Sequence, residues 1–299
     1  EAPVKILEQK EVKYNLGGAA NVAANLREFE KNVKLYGSIA KDYSGKKILE
    51  LLKKKRIDFY LSKNLNVTTA KTRLTKNNGK HLLRIDQEEH KYSKEIETNL
   101  IKKLDKNDFI LIVDYQKGLI SRNLFNKIRK KNKNIYVDPK NEPKLYKGAY
   151  LVKPNMKRIL NWIGSFNKKK CFEILKKNNW SWLIVTDGAR GVHIFNKNNY
   201  YKRIYVNTKN LKDVSGAGDT FLATLAYFNY KGLDIPNACR MAAKASTKVV
   251  EKIGVQSIKK DELLYKSIFT NGVFDLLHRG HYELFKFCKN IGKQLIVGI

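Results

Sequence analysis

Phe109-Ile-Leu-Ile-Val-Asp114 is an apolar, β-branched run that stops at a carboxylate. The same pattern recurs at Ile135-Tyr-Val-Asp138, Tyr150-Leu-Val-Lys153 and Trp182-Leu-Ile-Val-Thr186. Short apolar runs bounded by polar or turn residues are the mark of strands buried on both faces. Between them lie stretches with helical spacing, Ser121 to Lys131 and Lys168 to Asn178. This alternation predicts repeated βα units, hence an α/β fold with a doubly wound, mostly parallel sheet. Ligands of such sheets bind beyond the carboxyl ends of the strands. The pattern puts Asp114, Asp138, Asn155 and Thr186 there.

Two segments follow another rule. Residues 1–14 and about 67–86 alternate apolar and polar side chains, as in Thr72-Arg-Leu-Thr75 and His81-Leu-Leu-Arg-Ile-Asp86. Period two predicts half-exposed antiparallel strands, a small β lid over one end of the sheet. The large domain is expected to fill residues 1–256, closing near Lys252-Ile-Gly-Val255. A polar linker is expected over 257–267, and a new strand, Ser267-Ile-Phe-Thr270, opens a partial second domain over 268–299.

A chain of 299 residues holds one large core and a remainder. Its three cysteines, Cys171, Cys239 and Cys288, are far apart and form no CxxC pair, which argues against a disulfide framework or a structural zinc site. No apolar run is long enough to span a bilayer, and Glu1-Ala-Pro-Val-Lys5 lacks the order of a secretory signal, so a cytoplasmic location is expected. No initiator Met is present, and a preceding piece of chain is expected. The net charge of +32 raises a nucleic-acid or acidic-membrane partner. The lysines are strewn along the whole chain, however, often beside Asn, as a usage bias on solvated faces would leave them. Neither nucleic acid nor membrane is therefore expected as a partner, whereas small anions would be steered by such a field.

Asp213-Val-Ser-Gly-Ala-Gly-Asp-Thr-Phe221 sets two glycines ahead of an apolar helical stretch. Glycine permits close backbone approach, and free N–H groups at a helix start attract phosphate. Gly216, Ala217 and Gly218 thus read as an anion hole for a transferring phosphoryl group, with Asp219 at its mouth as the base for an attacking hydroxyl. A helix-capping role for Asp219 is the plain alternative. Gly17-Gly18-Ala-Ala-Asn21 supplies a second glycine pair running into a helix, Ala20 to Leu26.

These two elements together resemble the ribokinase-like carbohydrate kinases, whose signatures are GG-x-x-N near the start and D-x-x-GAGD near the end. The resemblance covers residues 1 to about 256 and implies sugar contacts from Gly17, Gly18 and Asn21, an anion hole at Gly216–Gly218 and Asp219 as base. Thr186-Asp-Gly-Ala-Arg-Gly191 is similar to the T-x-G-x-x-G nucleotide loop of that family, implying nucleotide contacts from Thr186, Gly188 and Gly191. The N-x-x-E element, which in the family organises Mg2+ and phosphate waters, is Asn155-Met-Lys-Arg158 here, with Arg in place of Glu. Asp138 and Lys140 are further candidates for the phosphate network. ATP and Mg2+ are the implied cofactors. No His, Cys or carboxylate spacing of its own predicts a resident metal.

Residues 268–281 read Ile-Phe-Thr-Asn-Gly-Val-Phe-Asp-Leu-Leu-His-Arg-Gly-His. Two imidazoles at a helix start can stabilise charge on a nucleotide α-phosphate as pyrophosphate leaves. The stretch resembles the cytidylyltransferase-like nucleotidyltransferases, with His278 and His281 at the catalytic positions. A domain of this kind needs roughly 100 residues to build its core, so the second activity is expected of a longer parent protein.

A kinase of this type followed by such a segment resembles the bifunctional heptose 7-phosphate kinase and heptose 1-phosphate adenylyltransferase family of lipopolysaccharide core synthesis. Glu1-Ala-Pro-Val4, Leu16-Gly-Gly-Ala-Ala-Asn-Val-Ala23, Asp114-Tyr-Gln-Lys-Gly118 and Val137-Asp-Pro-Lys140 agree with it. The resemblance implies phosphorylation of D-glycero-D-manno-heptose 7-phosphate at its anomeric hydroxyl, then adenylylation to ADP-heptose. Asp114 and Lys117 are carried over as sugar-site residues, and Lys71, Arg73 and Arg84 on the lid suit a 7-phosphate. The partners expected are a sugar phosphate, ATP and a second copy in a homodimer. Two departures stand out: the family's N-terminal strand is missing ahead of Glu1, and the linker is short. The alternatives are a kinase of the same fold for another sugar, which leaves the tail motifs without a purpose, and an inactive, basic nucleic-acid-binding scaffold.

Overall fold

The structure is a computed structural model and describes residues 8, 10–76, 81–206, 213–251, 254 and 257–298. The chain opens with helix α1 (Gly18–Arg27), then a parallel βαβ unit of β1 (Lys34–Ala40), α2 (Tyr43–Lys54) and β2 (Asp58–Leu65). Asp42 starts α2, its carboxylate accepting from the Gly45 N–H at 2.7 Å. Next come β3 (Ala70–Thr75) and β4 (His81–Gln87), an antiparallel pair in which Arg73 lies opposite Arg84.

The main sheet follows α3 (Lys94–Lys103). It is built from β5 (Ile110–Val113), α4 (Arg122–Lys131), β6 (Ile135–Asp138), β7 (Leu151–Val152), α5 (Met156–Ile163), α6 (Lys168–Lys177), β8 (Trp182–Thr186), β9 (Val192–Asn196) and β10 (Tyr201–Ile204). The strand order is β10-β9-β8-β7-β6-β5, with β5 to β8 parallel and β9 and β10 antiparallel. The parallel run agrees with the expectation from sequence. The antiparallel edge completes the mostly parallel sheet expected; Gly188 and Gly191, both at positive φ, turn the chain straight back after β8 instead of into a helix crossover.

Two helices, α7 (Ala217–Tyr230) and α8 (Ile235–Val250), cover one face of this sheet together with α1. Tyr136, Leu151 and Ile184 point into that layer, while their neighbours Val137, Val152, Leu183 and Val185 point into the layer of α4, α5 and α6. Alternate residues of each strand are thus buried on opposite faces, which is why the runs read as continuously apolar. Helix α7 is buried along Asp219–Phe228, as a helix apolar all round must be.

The rest of the chain is α9 (Lys260–Leu263), β11 (Tyr265–Asn271), α10 (Arg279–Ile291) and β12 (Gly292–Gly298), with β11 and β12 paired in parallel. Residues 257–267 differ from the polar linker expected: they contain α9, and β11 begins at Tyr265. Ile258 and Leu263 are fully buried in the α7–α8 core, and Phe287 and Ile291 of α10 pack against it. Two apolar side chains in a charged stretch were enough to dock it. Residues 10–14 form no strand, contrary to the alternation seen there; residues 1–7 and 9 lie outside the described residues, as do residues 252, 253, 255 and 256 of the expected domain end. Among the described residues, no helix is long and apolar enough to cross a membrane.

Candidate active site

Two helix starts meet at Asp219. Gly216 precedes α7 at φ 80°, a left-handed conformation natural to glycine, so Ala217, Gly218 and Asp219 form the first turn. Asp219 is buried, and its Oδ2 accepts a 2.8 Å hydrogen bond from the Asn21 side-chain amide on the first turn of α1. Behind it, Asn25 Nδ2 donates to the Asn21 carbonyl oxygen at 2.9 Å, and Thr220 Oγ1 donates to Asn25 Oδ1 at 3.0 Å. The Tyr115 hydroxyl lies 3.4 Å from Asp219 Oδ1. Burial pushes the Asp219 carboxyl up from 3.8 to about 6, the charge of Asp138 adding to the rise while Asn21, Lys153 and Tyr115 oppose it. A carboxylate held near that value is ionised at neutral pH and still basic enough to take a hydroxyl proton.

The strand ends supply the surrounding charges. Asp138 closes β6, and the next residue after β7, Lys153, donates its backbone N–H to the Val137 carbonyl at 2.8 Å. Lys153 is 2% exposed, and its Nζ lies 3.0 Å from Asp138 Oδ2. The Lys140 ammonium sits 3.7 Å above the centre of the Tyr115 ring. Its pKa is lowered, first by burial and then by Lys71, Lys117 and Arg158, while Asp138 opposes the fall. Five cations thus gather at this end of the sheet, of which Lys71, Lys117 and Lys153 are paired with carboxylates.

One cleft is lined by Gly17, Gly18, Asn21, Lys71, Arg73 and Arg84, with Asp114, Lys117, Lys140, Gly216 and Asp219. It gathers the expected sugar-side residues with the expected base. Several of them are engaged with neighbouring side chains. Asn21 is engaged with Asp219 itself. Asp114 is 3% exposed and accepts from the Tyr146 hydroxyl, the Asn141 amide and the Gln116 N–H at 2.6, 2.7 and 2.8 Å. Its lone pairs anchor the loops after β5 and β6. Lys71 bridges Asp86 and Glu88 at 2.9 and 2.6 Å, Lys117 pairs with Glu88, and Arg84 lies 3.0 Å from Asp86. Lys117 and Lys71 together hold the Glu88 carboxyl at about 2. Arg73 and Arg84 are exposed on the lid.

The nucleotide-loop residues form a second group. Asn155 and Thr186 face each other as a lone bridge between strand ends. The Asn155 side chain caps α5 by accepting from the Arg158 N–H at 2.8 Å, which puts Arg158 on the first helical turn. After Thr186 the chain turns sharply through Gly188 and Gly191, and the Arg190 guanidinium grips Asp187 at 2.9 and 2.8 Å. His278 and His281 are brought together at the start of α10, their rings stacked 3.8 Å apart, and do not line the cleft. Among the described residues, no three His, Cys, Asp or Glu side chains converge as a metal site.

Sequence reasoning missed Lys153 and Tyr115. Lysine directly after the buried run Leu151-Val152 was a readable signal for Lys153, because ligands of such sheets bind beyond the carboxyl ends of the strands. Tyr115 gave none: its hydroxyl meets Asp219 only through the tertiary fold.

The fold and this site define a carbohydrate kinase: residues 1–262 match the pfkB family carbohydrate kinases. Residues 269–299 match the cytidylyltransferase-like family. The chain is 32% identical over 348 residues to Bifunctional protein HldE of Nitratiruptor sp., covering 100% of this chain and 74% of that protein. At that identity and coverage it belongs to the bifunctional HldE family, a branch of the pfkB kinases. Among solved structures, a ribokinase from Thermotoga maritima matches with a TM-score of 0.66 at 21% identity, covering 86% of this chain and 90% of that one. A fructokinase from Vibrio cholerae O395, in fructose, ADP and calcium ion bound form, matches with a TM-score of 0.67 at 14% identity, covering 83% and 89%. The ribokinase-like fold expected from sequence is the fold of these structures.

Proposed function

We propose that the chain phosphorylates D-glycero-D-manno-heptose 7-phosphate at its anomeric hydroxyl, with ATP as donor and Asp219 as general base. The observation that carries this reading is the buried Asp219 carboxylate, raised to about 6 and set in the first turn of α7 beside Gly216–Gly218. The sugar hydroxyl gives its proton to Asp219 as its oxygen attacks the γ-phosphorus, and the N–H groups of Gly216, Ala217 and Gly218 face the charge that develops. Asn21 orients the base. Gly17, Gly18 and the lid border the sugar, and Arg73 and Arg84 of the lid, with Lys140, favour a sugar that already carries a phosphate. Asp138, Lys140, Asn155, Thr186, Gly188 and Gly191 border the nucleotide.

Mg2+ enters this reading as the companion of the nucleotide phosphates. Among the described residues none builds a protein-held site for it: Asp138 is engaged with Lys153, and Arg158 occupies the first turn of α5. No step runs through the ion. The reading extends to a kinase domain over 1–256, a nucleotidyltransferase piece over 268–299, a homodimer and a cytoplasmic location. His278 and His281 would serve adenylylation of heptose 1-phosphate to ADP-heptose for the lipopolysaccharide core.

The test is ADP release from ATP and Mg2+ with heptose 7-phosphate, fructose 6-phosphate and ribose, on the chain and on Asp219→Asn. Turnover selective for heptose 7-phosphate, lowered at least about 100-fold by the substitution, is expected. Turnover that survives Asp219→Asn removes Asp219 as base, and preference for another sugar removes the substrate.

A further inference from the structure

We infer that Lys153 is a catalytic residue of phosphoryl transfer, its ammonium contacting the transferring group beside the Gly216–Gly218 turn. The inference rests on the kinase reading above. Lys153 is 2% exposed, and among the described residues its one ion pair is with Asp138, at 3.0 Å. That partner holds the ammonium at the carboxyl ends of β6 and β7. A Cβ built on Gly218 would lie 3.8 Å from Nζ, so the ammonium borders the turn that carries Asp219. Its charge also reaches the Asp219 carboxyl and favours the ionised form.

Stability alone does not call for this lysine. Taking an ammonium out of water costs about as much as one carboxylate partner returns, and apolar replacements of buried pairs are often no less stable. An ammonium has three donors, and one carboxylate does not use them all. The chemistry has a use for the remainder. As the sugar oxygen bonds to the γ-phosphorus, the bond from phosphorus to the bridging oxygen breaks, its electron pair leaves with ADP, and the hydroxyl proton passes to Asp219. Lys153 takes no part in this proton transfer and meets the negative charge on the equatorial phosphoryl oxygens. A fixed cation at this point also suits a site with Arg158 on the first turn of α5 and no metal-binding cluster among the described residues.

The test compares binding of ADP with binding of ADP plus aluminium fluoride, the planar mimic of the transferring group, in the presence of Mg2+ and heptose 7-phosphate. The full chain is used with Lys153→Met and Lys153→Arg. Lys153→Met is expected to weaken the aluminium fluoride complex about 100-fold while changing ADP affinity less than about threefold, and Lys153→Arg to recover about tenfold of that loss. Equal weakening of both ligands, an unchanged complex, or no complex with the unsubstituted chain overturns the inference. Should Lys153→Met alone fail to fold, the pair Lys153→Met with Asp138→Asn removes the stranded carboxylate and is compared with Asp138→Asn. The readout needs no turnover, so loss of the Asp219 reading leaves this result separately decidable.

Discussion

The side-chain amide of Asn21 donates a 2.8 Å hydrogen bond to Asp219 Oδ2, joining the first turn of α1 to the first turn of α7 across 198 residues. Asn25 and Thr220 tie the same helices one turn deeper, so the carboxylate is held from its own helix and from the one facing it. A carboxylate fixed in this way has both its direction and its proton affinity set by a neighbour.

Asn21→Ala removes a hydrogen bond to the charged form of Asp219. Such bonds are worth about 1.5–3 kcal/mol, or roughly one to two pH units. The acid limb of kcat/KM, expected near pH 6, therefore moves upward by about one unit, and kcat/KM at pH 7 falls about twofold. The measurement is the variant-to-wild-type ratio of kcat/KM across pH 5 to 9, in which the titration of ATP and sugar phosphate cancels. An unmoved limb would mean that Asp219 does not set it.

Asp219→Asn stabilises the protein at the expense of activity. The folded carboxyl binds its proton more tightly than the ordinary 3.8, so its contribution favours folding below that value and is lost as pH rises through about 6. Removing the charge recovers on the order of 1–3 kcal/mol at pH 8 and nothing at pH 3.5. Thermal unfolding at the two pH values should show a Tm gain of several degrees at the higher one alone.

Glycines of the two loops should respond differently to one methyl group. At Gly218 a Cβ meets nothing nearer than 3.8 Å, so Gly218→Ala keeps its Tm, yet it crowds the anion hole and lowers kcat about 100-fold. At Gly191, with φ +99°, a Cβ would lie 2.0 Å from the Ile204 carbonyl oxygen. Gly191→Ala is expected to cost about 3 kcal/mol or more, read as a lower Tm.

Leu263→Ala tests the docking of the segment after the kinase core. The side chain is fully buried among α7 and α8 residues, and truncation there costs about 2–5 kcal/mol. A free polar linker would tolerate it with no change in the chemical unfolding midpoint.

Much of this protein follows from local pattern. The apolar runs ending at Val113, Asp138, Val152 and Thr186 determine a parallel sheet, because only strands covered on both faces can be apolar at every position. The glycines before α1 and α7 determine two helix starts, since they permit backbone turns that other residues resist. The segment at 67–86 reads as antiparallel strands, which β3 and β4 form, although Leu82, Leu83 and Ile85 stay exposed on them. What the tertiary structure decided is who meets whom. Asn21 faces Asp219 and not open space, Asp114 is spent on Tyr146, Asn141 and Gln116, and Glu88 holds Lys71 and Lys117. Ile258 and Leu263 turn a charged stretch into part of the core, and Lys153 lies buried against Asp138. Periodicity encodes which face of an element is buried. The partner of a polar side chain is set by the packing of elements distant in the chain, and no local pattern records it.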